Sequence, residues 1–327
     1  MGKLKIVFQH DHPLPVTKYG GIERVIYWHM RELAKLGHEV ILIGHSDSKV
    51  DQDSIQLIPM SPSDIGDWDH LIPRDSDILH LAYNYTPKIS IPTINAIQGN
   101  GKIGEIFSEN AVFISQSHAH NHGSEVYVYN GLPLEEYPIN PRSSLEWKNF
   151  LFLGKASWSV KNLKGCIKAC KKAHKNLHIA GGRYLWPSCW IHSHGMVGGE
   201  HKIQIIQQCD ALLFPIRWPE PFGLAIIEAM AMGLPVIGSC YGSLPEIINS
   251  EVGIICNNSI ELFESVKTKK YDFSPKKVRN YVQNNFSVER NTHEFLKLYH
   301  RILAGETLNK QCPTWKLSTP ANQLLEF

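Results

Sequence analysis

Two glutamates, Glu220 and Glu228, stand with seven residues between them, on either side of a glycine that opens an apolar run. Residues 217–236 read RWPEPFGLAIIEAMAMGLPV. Prolines and a glycine break the chain before the run, and Gly233 with Pro235 ends it, which predicts a helix over about 223–232. The first amides of such a helix have no partner within it. Its dipole adds roughly half a positive charge at the mouth, so a phosphate is a natural guest there. Gly223, lacking Cβ, lets that guest approach the backbone. At a rise of about 1.5 Å per residue, Glu228 lies roughly 7–8 Å along the axis from Gly223. One carboxylate then reaches one end of a ligand built around a diphosphate, and the other reaches the far end. Carboxylates only accept hydrogen bonds, so both suit hydroxyl donors such as sugar rings. By spacing alone, Glu228 on this helix is more often a capped or solvated acid.

The elements that must hold these groups alternate between strand and helix. ALLFP at 211–215 and VIGS at 236–239 are short apolar runs that predict buried strands on either side of the helix. Toward the amino end, a strand at 3–8, a helix over about 21–36 and a strand at 40–43 form a βαβ unit, which implies a parallel sheet. Its loop carries Gly20 and Gly21 immediately before the helix. Further strands are expected at 93–97, 111–114 and 126–129. The polar, proline-rich stretch 138–144 reads as a linker. A second series follows, with strands at 149–154, 177–182 and 252–255 and helices at 163–173, 274–284 and 288–303. Residues 183–193 read as a packed loop.

The string EPFGLAIIEAMAMGLPVIG resembles the signature of the retaining family-4 glycosyltransferases, whose two glutamates are separated by seven residues. PLPVTKYGGIERV with LAKLGHEV is similar to the family's amino-terminal glycine loop, and Gly242-Ser-Leu-Pro-Glu246 to the turn after its signature. The resemblance covers nearly the whole chain. It implies an α/β GT-B architecture, with two Rossmann-like domains whose parallel sheets face a central cleft. The domains are expected at 1–140 (acceptor side) and 146–303 (nucleotide-sugar side), with a tail at 304–327 that packs back on the first. The implied activity is metal-independent transfer, with retention, of a hexose from a nucleotide diphosphate sugar, UDP-glucose or a related UDP-sugar being favoured. Glu220 would contact the donor hexose and Glu228 the ribose hydroxyls. The backbone of Pro221, Phe222, Gly223 and Leu224 would lie near the phosphates and sugar. Gly20 and Gly21 would face the donor phosphates.

The resemblance also places an arginine and a lysine on the diphosphate. Lys161 matches the lysine, and Lys155 replaces the arginine, keeping the charge but losing the bidentate fork. With Glu220 these form the expected catalytic set. The loop of Val197 resembles the one that holds the base through the main chain. Where the family carries a histidine the chain has Gln98, which can hydrogen-bond a hydroxyl but cannot take a proton as imidazole does. Gln98 and His118 are the acceptor-side candidates, although alternating loop histidines such as His118, His120 and His122 are more often simply exposed.

Other chemistries find less support. Lysine and arginine exceed aspartate and glutamate by only two charges, too little to argue for nucleic acid. Seven scattered cysteines without a CxxC pair fit a reducing cytoplasm. No metal or other cofactor is expected: His10 and His12 sit at a strand end, and the pairs Asp51/Asp53, Asp67/Asp69 and Asp75/Asp77 read as solvated turns. The acceptor, a glycan, a lipid-linked sugar or a small molecule, leaves no mark, and surface polysaccharide or lipopolysaccharide synthesis is the expected setting. A lipid-linked acceptor would add peripheral contact with the inner membrane, for which no basic amphipathic helix speaks. A GDP-mannose-type donor, a GT-B epimerase and a non-catalytic sugar-nucleotide-binding subunit remain as alternatives.

Overall fold

The computed structural model describes residues 2–17, 20–139, 145–268 and 272–327. The expected linker at 138–144 falls outside the described residues from 140 onward. In chain order the first elements are β1 (Lys5–His10), α1 (Gly21–Lys35), β2 (Glu39–His45), β3 (Ile55–Met60), β4 (Ile78–Leu81), β5 (Thr93–Ala96), β6 (Ala111–Val112) and α2 (Gln116–Asn121). There follow β7 (Asn149–Leu153), α3 (Leu163–Ala173), β8 (Asn176–Ala180), β9 (Ile191–Ser193), α4 (Gly199–Gln207), β10 (Ala211–Phe214) and α5 (Leu224–Ala231). The last are β11 (Val236–Ser239), α6 (Leu244–Ile247), β12 (Gly253–Cys256), α7 (Ser259–Lys267), α8 (Pro275–Asn285) and α9 (Val288–Leu303).

Two compact units result: Met1–Val16 with Gly20–Leu132 and Val288–Ser318, and Thr17–Tyr19 with Pro133–Ser287 and Thr319–Phe327. Each carries a six-stranded sheet, ordered β3-β2-β1-β4-β5-β6 in the first and β12-β11-β10-β7-β8-β9 in the second. All the strand pairings are parallel. Counted from the first strand of each sheet, both orders are the doubly wound 3-2-1-4-5-6 arrangement. Helices cover both faces of such a sheet, so its strands are apolar on both sides. The runs ALLF in β10 and VIGS in β11 are accordingly buried throughout. The expected strand at 126–129 reduces to one bridge, Phe113 with Tyr127.

Helix α9, expected in the second domain, belongs to the first unit. Its Phe295 and Tyr299 bury against His29 of α1 and His80 of β4. His29 places Nδ1 3.0 Å from the Thr292 hydroxyl and Nε2 2.9 Å from the Tyr299 hydroxyl. His80 Nδ1 lies 2.6 Å from that same hydroxyl. Burial keeps both imidazoles neutral, pulling His29 down to about 3 and His80 well below the ordinary histidine value. The tail divides. Residues 305–318 stay with the first unit, where the Thr314 amide donates to the His122 carbonyl and Trp315 packs on the His122 ring. Residues 319–327 join the second unit, because Leu325 exchanges hydrogen bonds with Arg217 through its amide and its carbonyl. Among the described residues no helix is long and apolar enough to cross a membrane.

Candidate functional site

In an open, doubly wound sheet the ligand crevice lies beyond the carboxyl ends of the strands where the order reverses. In the second unit that point falls between β7 and β10. The chain leaves β7 through Gly154 and Lys155, and leaves β10 through Pro215 toward Glu220. The groups singled out by type and spacing therefore sit at the switch point of one sheet.

Helix α5 begins one residue after Gly223, whose φ of 85° and missing Cβ let the chain turn against Phe214 and Ile226. No side chain caps this helix. In contrast, α3 is capped by the Asn162 carboxamide, which accepts from the Gly165 amide. The loop before α5 is pinned by the turn between β11 and α6. The Ser243 amide donates to the Glu220 carbonyl at 3.0 Å, and the Ser243 hydroxyl donates to the Phe222 carbonyl at 2.9 Å. Gly242, at φ 59°, lies so close that an added Cβ would fall 2.3 Å from the Glu220 nitrogen. Pro221 and Phe222 are buried, and the Phe222 ring packs edge-on against Phe286.

Both glutamates are buried and both are answered by a lysine. Glu220 is 7% exposed, and its Oε2 accepts from Lys161 Nζ at 2.6 Å and from Trp218 Nε1 at 2.5 Å. Lys161 also lies 5.1 Å from the centres of the Phe214 and Trp218 rings. Among the described residues Glu220 Oε1 has no hydrogen-bond partner, which leaves it for a hydroxyl donor. Glu228 is 2% exposed on a helix that is apolar on every side, so its charge needs a partner. Lys202 of α4 supplies one at 2.9 Å, and the Tyr137 hydroxyl donates to the same Oε1 at 2.7 Å. Glu228 is thus a paired buried acid rather than a solvated one.

Lys155 and Lys161 share one loop, but their head groups part. Lys161 is engaged with Glu220, whereas Lys155 lies 5.1 Å from the Trp158 ring centre and lines a cavity of about 330 Å³. Ala156, Ser157, Gly181, Gly182, Arg183 and Met196 complete the lining. Met196 reaches this cavity; Val197 is the next residue, half-buried ahead of α4. The segment after Arg183 is not the packed loop its tryptophans suggested. Leu185 and Trp186 are largely exposed, and Trp190 alone of its two tryptophans rests against the core.

The remaining candidates lie in the first unit. Gly20 precedes α1 at φ 156° and is hemmed by Glu23 and Val16, while Gly21 faces open space; residues 18 and 19 of that loop lie outside the described residues. Gln98 Oε1 accepts from Asn130 at 3.0 Å. His118 is buried, contrary to the expectation of an exposed loop cluster. Its Nδ1 accepts from the Ile114 amide and its Nε2 meets the Gly99 carbonyl at 3.1 Å, so it holds the strand end beside Gln98. The acidic pairs have local partners: Asp53 with Tyr27, Asp69 with Tyr85 and the Lys88 amide, Asp75 and Asp77 with Lys5. Asp69 is buried rather than solvated, because those two bonds draw it inward. Among the described residues no three histidine, cysteine, aspartate or glutamate side chains converge as a metal set.

Residues 147–268, which carry both glutamates and their lysines, match the family described as glycosyl transferases group 1. An uncharacterised glycosyltransferase of Methanocaldococcus jannaschii is 30% identical over 156 residues, 38% of this chain and 38% of that protein. The chain thus spans well under half the length of that relative. Two solved structures share the fold. AviGT4, a glycosyltransferase involved in avilamycin A biosynthesis, superposes with a TM-score of 0.77 at 20% identity, covering 96% of this chain and 100% of its own. Anabaena HepE in complex with UDP-glucose superposes with a TM-score of 0.66 at 15% identity, covering 90% and 99%. The architecture is GT-B, two units each built on a parallel six-stranded sheet.

Arg183, Lys202, Tyr137 and Trp218 were not singled out from sequence. Trp218 alone carried a signal, its place two residues before Glu220. The others come from distant loops or a helix.

Proposed function

We propose that the chain is a retaining, metal-independent glycosyltransferase that moves a hexose from a nucleotide diphosphate sugar to a hydroxyl acceptor. The observation that carries this reading is the pair of lysine-held glutamates flanking the uncapped start of α5, at the switch point of the second sheet. UDP-glucose or a related UDP-sugar is the favoured donor, in keeping with the complex described for HepE. Glu220, fixed through Oε2, would offer Oε1 to the hexose hydroxyls, and Glu228 would serve the ribose. The amides at the start of α5 and the nearby cations would stabilise charge as it gathers on the departing diphosphate. In the transfer step the bond from the anomeric carbon to the phosphate oxygen breaks. The acceptor oxygen bonds that carbon on the same face, and its proton passes to the leaving phosphate. The acceptor is a glycan, a lipid-linked sugar or a small molecule.

The test is donor turnover against a panel of nucleotide sugars and acceptors, with product configuration read by NMR. Release of free UDP only when acceptor is present, with retained configuration and no loss under chelator, is the expected result. Inverted product refutes retention, and loss on chelation refutes metal independence. Epimerised donor without acceptor refutes transfer.

A further inference from the structure

The cavity at the carboxyl ends of β7 and β8 is lined by two cations, and the ion pairs of the second unit indicate which charges are left for a ligand. Lys161 is committed to Glu220 at 2.6 Å and Lys202 to Glu228 at 2.9 Å. Among the described residues neither Lys155 nor Arg183 has a hydrogen-bond or ion-pair partner, and both line the same cavity of about 330 Å³. Lys155 and Arg183 therefore each bring an unpaired positive charge to this cavity.

The backbone holds Arg183 in place although its side chain is exposed. Three loops at the strand ends are joined by main-chain bonds: the Ala156 amide to the Gly181 carbonyl at 2.9 Å, and the Gly181 amide to the Gly195 carbonyl at 2.7 Å. Gly182 and Gly195 form a bridge, and the Tyr184 amide donates to the Ser193 hydroxyl at 2.9 Å. Arg183 thus sits between two anchored neighbours. Glycine is required for this approach, since a Cβ on Gly181 would fall 2.1 Å from the Gly154 carbonyl oxygen and one on Gly182 would fall 2.2 Å from the Ala156 Cβ.

We infer that Arg183 and Lys155 together are the cationic grip on the donor diphosphate, with Arg183 supplying the planar fork. This deepens the nucleotide-sugar reading above and rests on it. A guanidinium meets two phosphate oxygens in parallel, while an ammonium acts as a point charge. Arg183 is therefore a specificity residue for nucleoside diphosphates over monophosphates.

Calorimetric titration of the full chain with UDP, GDP and UMP tests this, using the wild type, Arg183→Ala and Arg183→Lys. The expected result is a loss of about 10- to 100-fold in affinity for the diphosphate that the wild type binds in Arg183→Ala. The monophosphate should be affected far less, and Arg183→Lys should recover only part of the loss. Because the side chain bonds no other residue, the melting temperature should stay at the wild-type value. Unchanged diphosphate affinity in Arg183→Ala overturns the proposal and leaves the donor reading intact, as does an equal loss for diphosphate and monophosphate. A wild-type protein that binds neither UDP nor GDP overturns the donor reading and the proposal with it.

Discussion

Replacing Lys202 by methionine strands the Glu228 carboxylate. The two charges lie 2.9 Å apart with side chains 10% and 3% exposed, so water cannot take the place of the ammonium. The Tyr137 hydroxyl would still donate to Glu228 at 2.7 Å, but a neutral donor does not balance a full charge. Breaking a buried pair from one side costs about 3–5 kcal/mol. The second unit has about 155 residues between Pro133 and Ser287. At that size 1 kcal/mol moves the midpoint by roughly 2–4 °C, so Lys202→Met should melt about 6–20 °C below the wild type. Differential scanning calorimetry at neutral pH is the assay. The double variant Lys202→Met with Glu228→Gln removes the charge and keeps an acceptor for Tyr137, so it should regain most of the loss. A single variant melting within about 2 °C of the wild type, or a double variant melting as low as the single, refutes the reasoning.

The buried imidazoles set an acid limit on the first unit. The unfolded chain protonates His29 and His80 below about pH 6.5, whereas folded His29 stays neutral down to about 3 and folded His80 to well below its usual value. Stability is therefore whole above pH 6.5 and falls with decreasing pH by about 1.4 kcal/mol per unit for each histidine. Urea denaturation at pH 7.5 and 5.5 measures this, and a His80→Phe variant with an undiminished slope would refute it. At the signature loop, Gly242→Ala forces a Cβ against the Glu220 backbone at φ 59°. It should destabilise by about 1–3 kcal/mol and weaken UDP-sugar binding at least about tenfold. A variant that binds as tightly as the wild type would show that the Glu220 loop tolerates displacement.

Much of the second sheet was legible because its strands are unbroken apolar runs with glycine or proline at their ends, as in ALLFP and VIGS. The helix at 224–231 was legible for the same reason, since Gly223 and Gly233 bracket it. Strand β3 was not, because an edge strand need not alternate: IQLIPM is buried at only one position and carries a proline that a central strand would exclude. Helices α4 and α7 were missed because short amphipathic helices with exposed faces leave weak periodic signals. At the site, the glutamates announced themselves through spacing, but what holds them did not. Lys202 lies 26 residues from Glu228 and Tyr137 lies 91 away. Neither pairing leaves a local pattern. The ownership of α9 was equally hidden, because its contacts with His29 and His80 run 219 residues or more along the chain.

That last connection has a consequence for how the molecule is made. The surface of the first sheet that α9 covers leaves the ribosome long before α9 does, because residues 133–287 must be synthesised in between. At roughly 5–20 residues per second this interval lasts about 8–30 s. Throughout it, the nascent amino-terminal half carries an uncovered face formed by Phe8, His29 and His80. Chaperone occupancy during translation should therefore be greatest in that window and fall once Tyr299 has emerged.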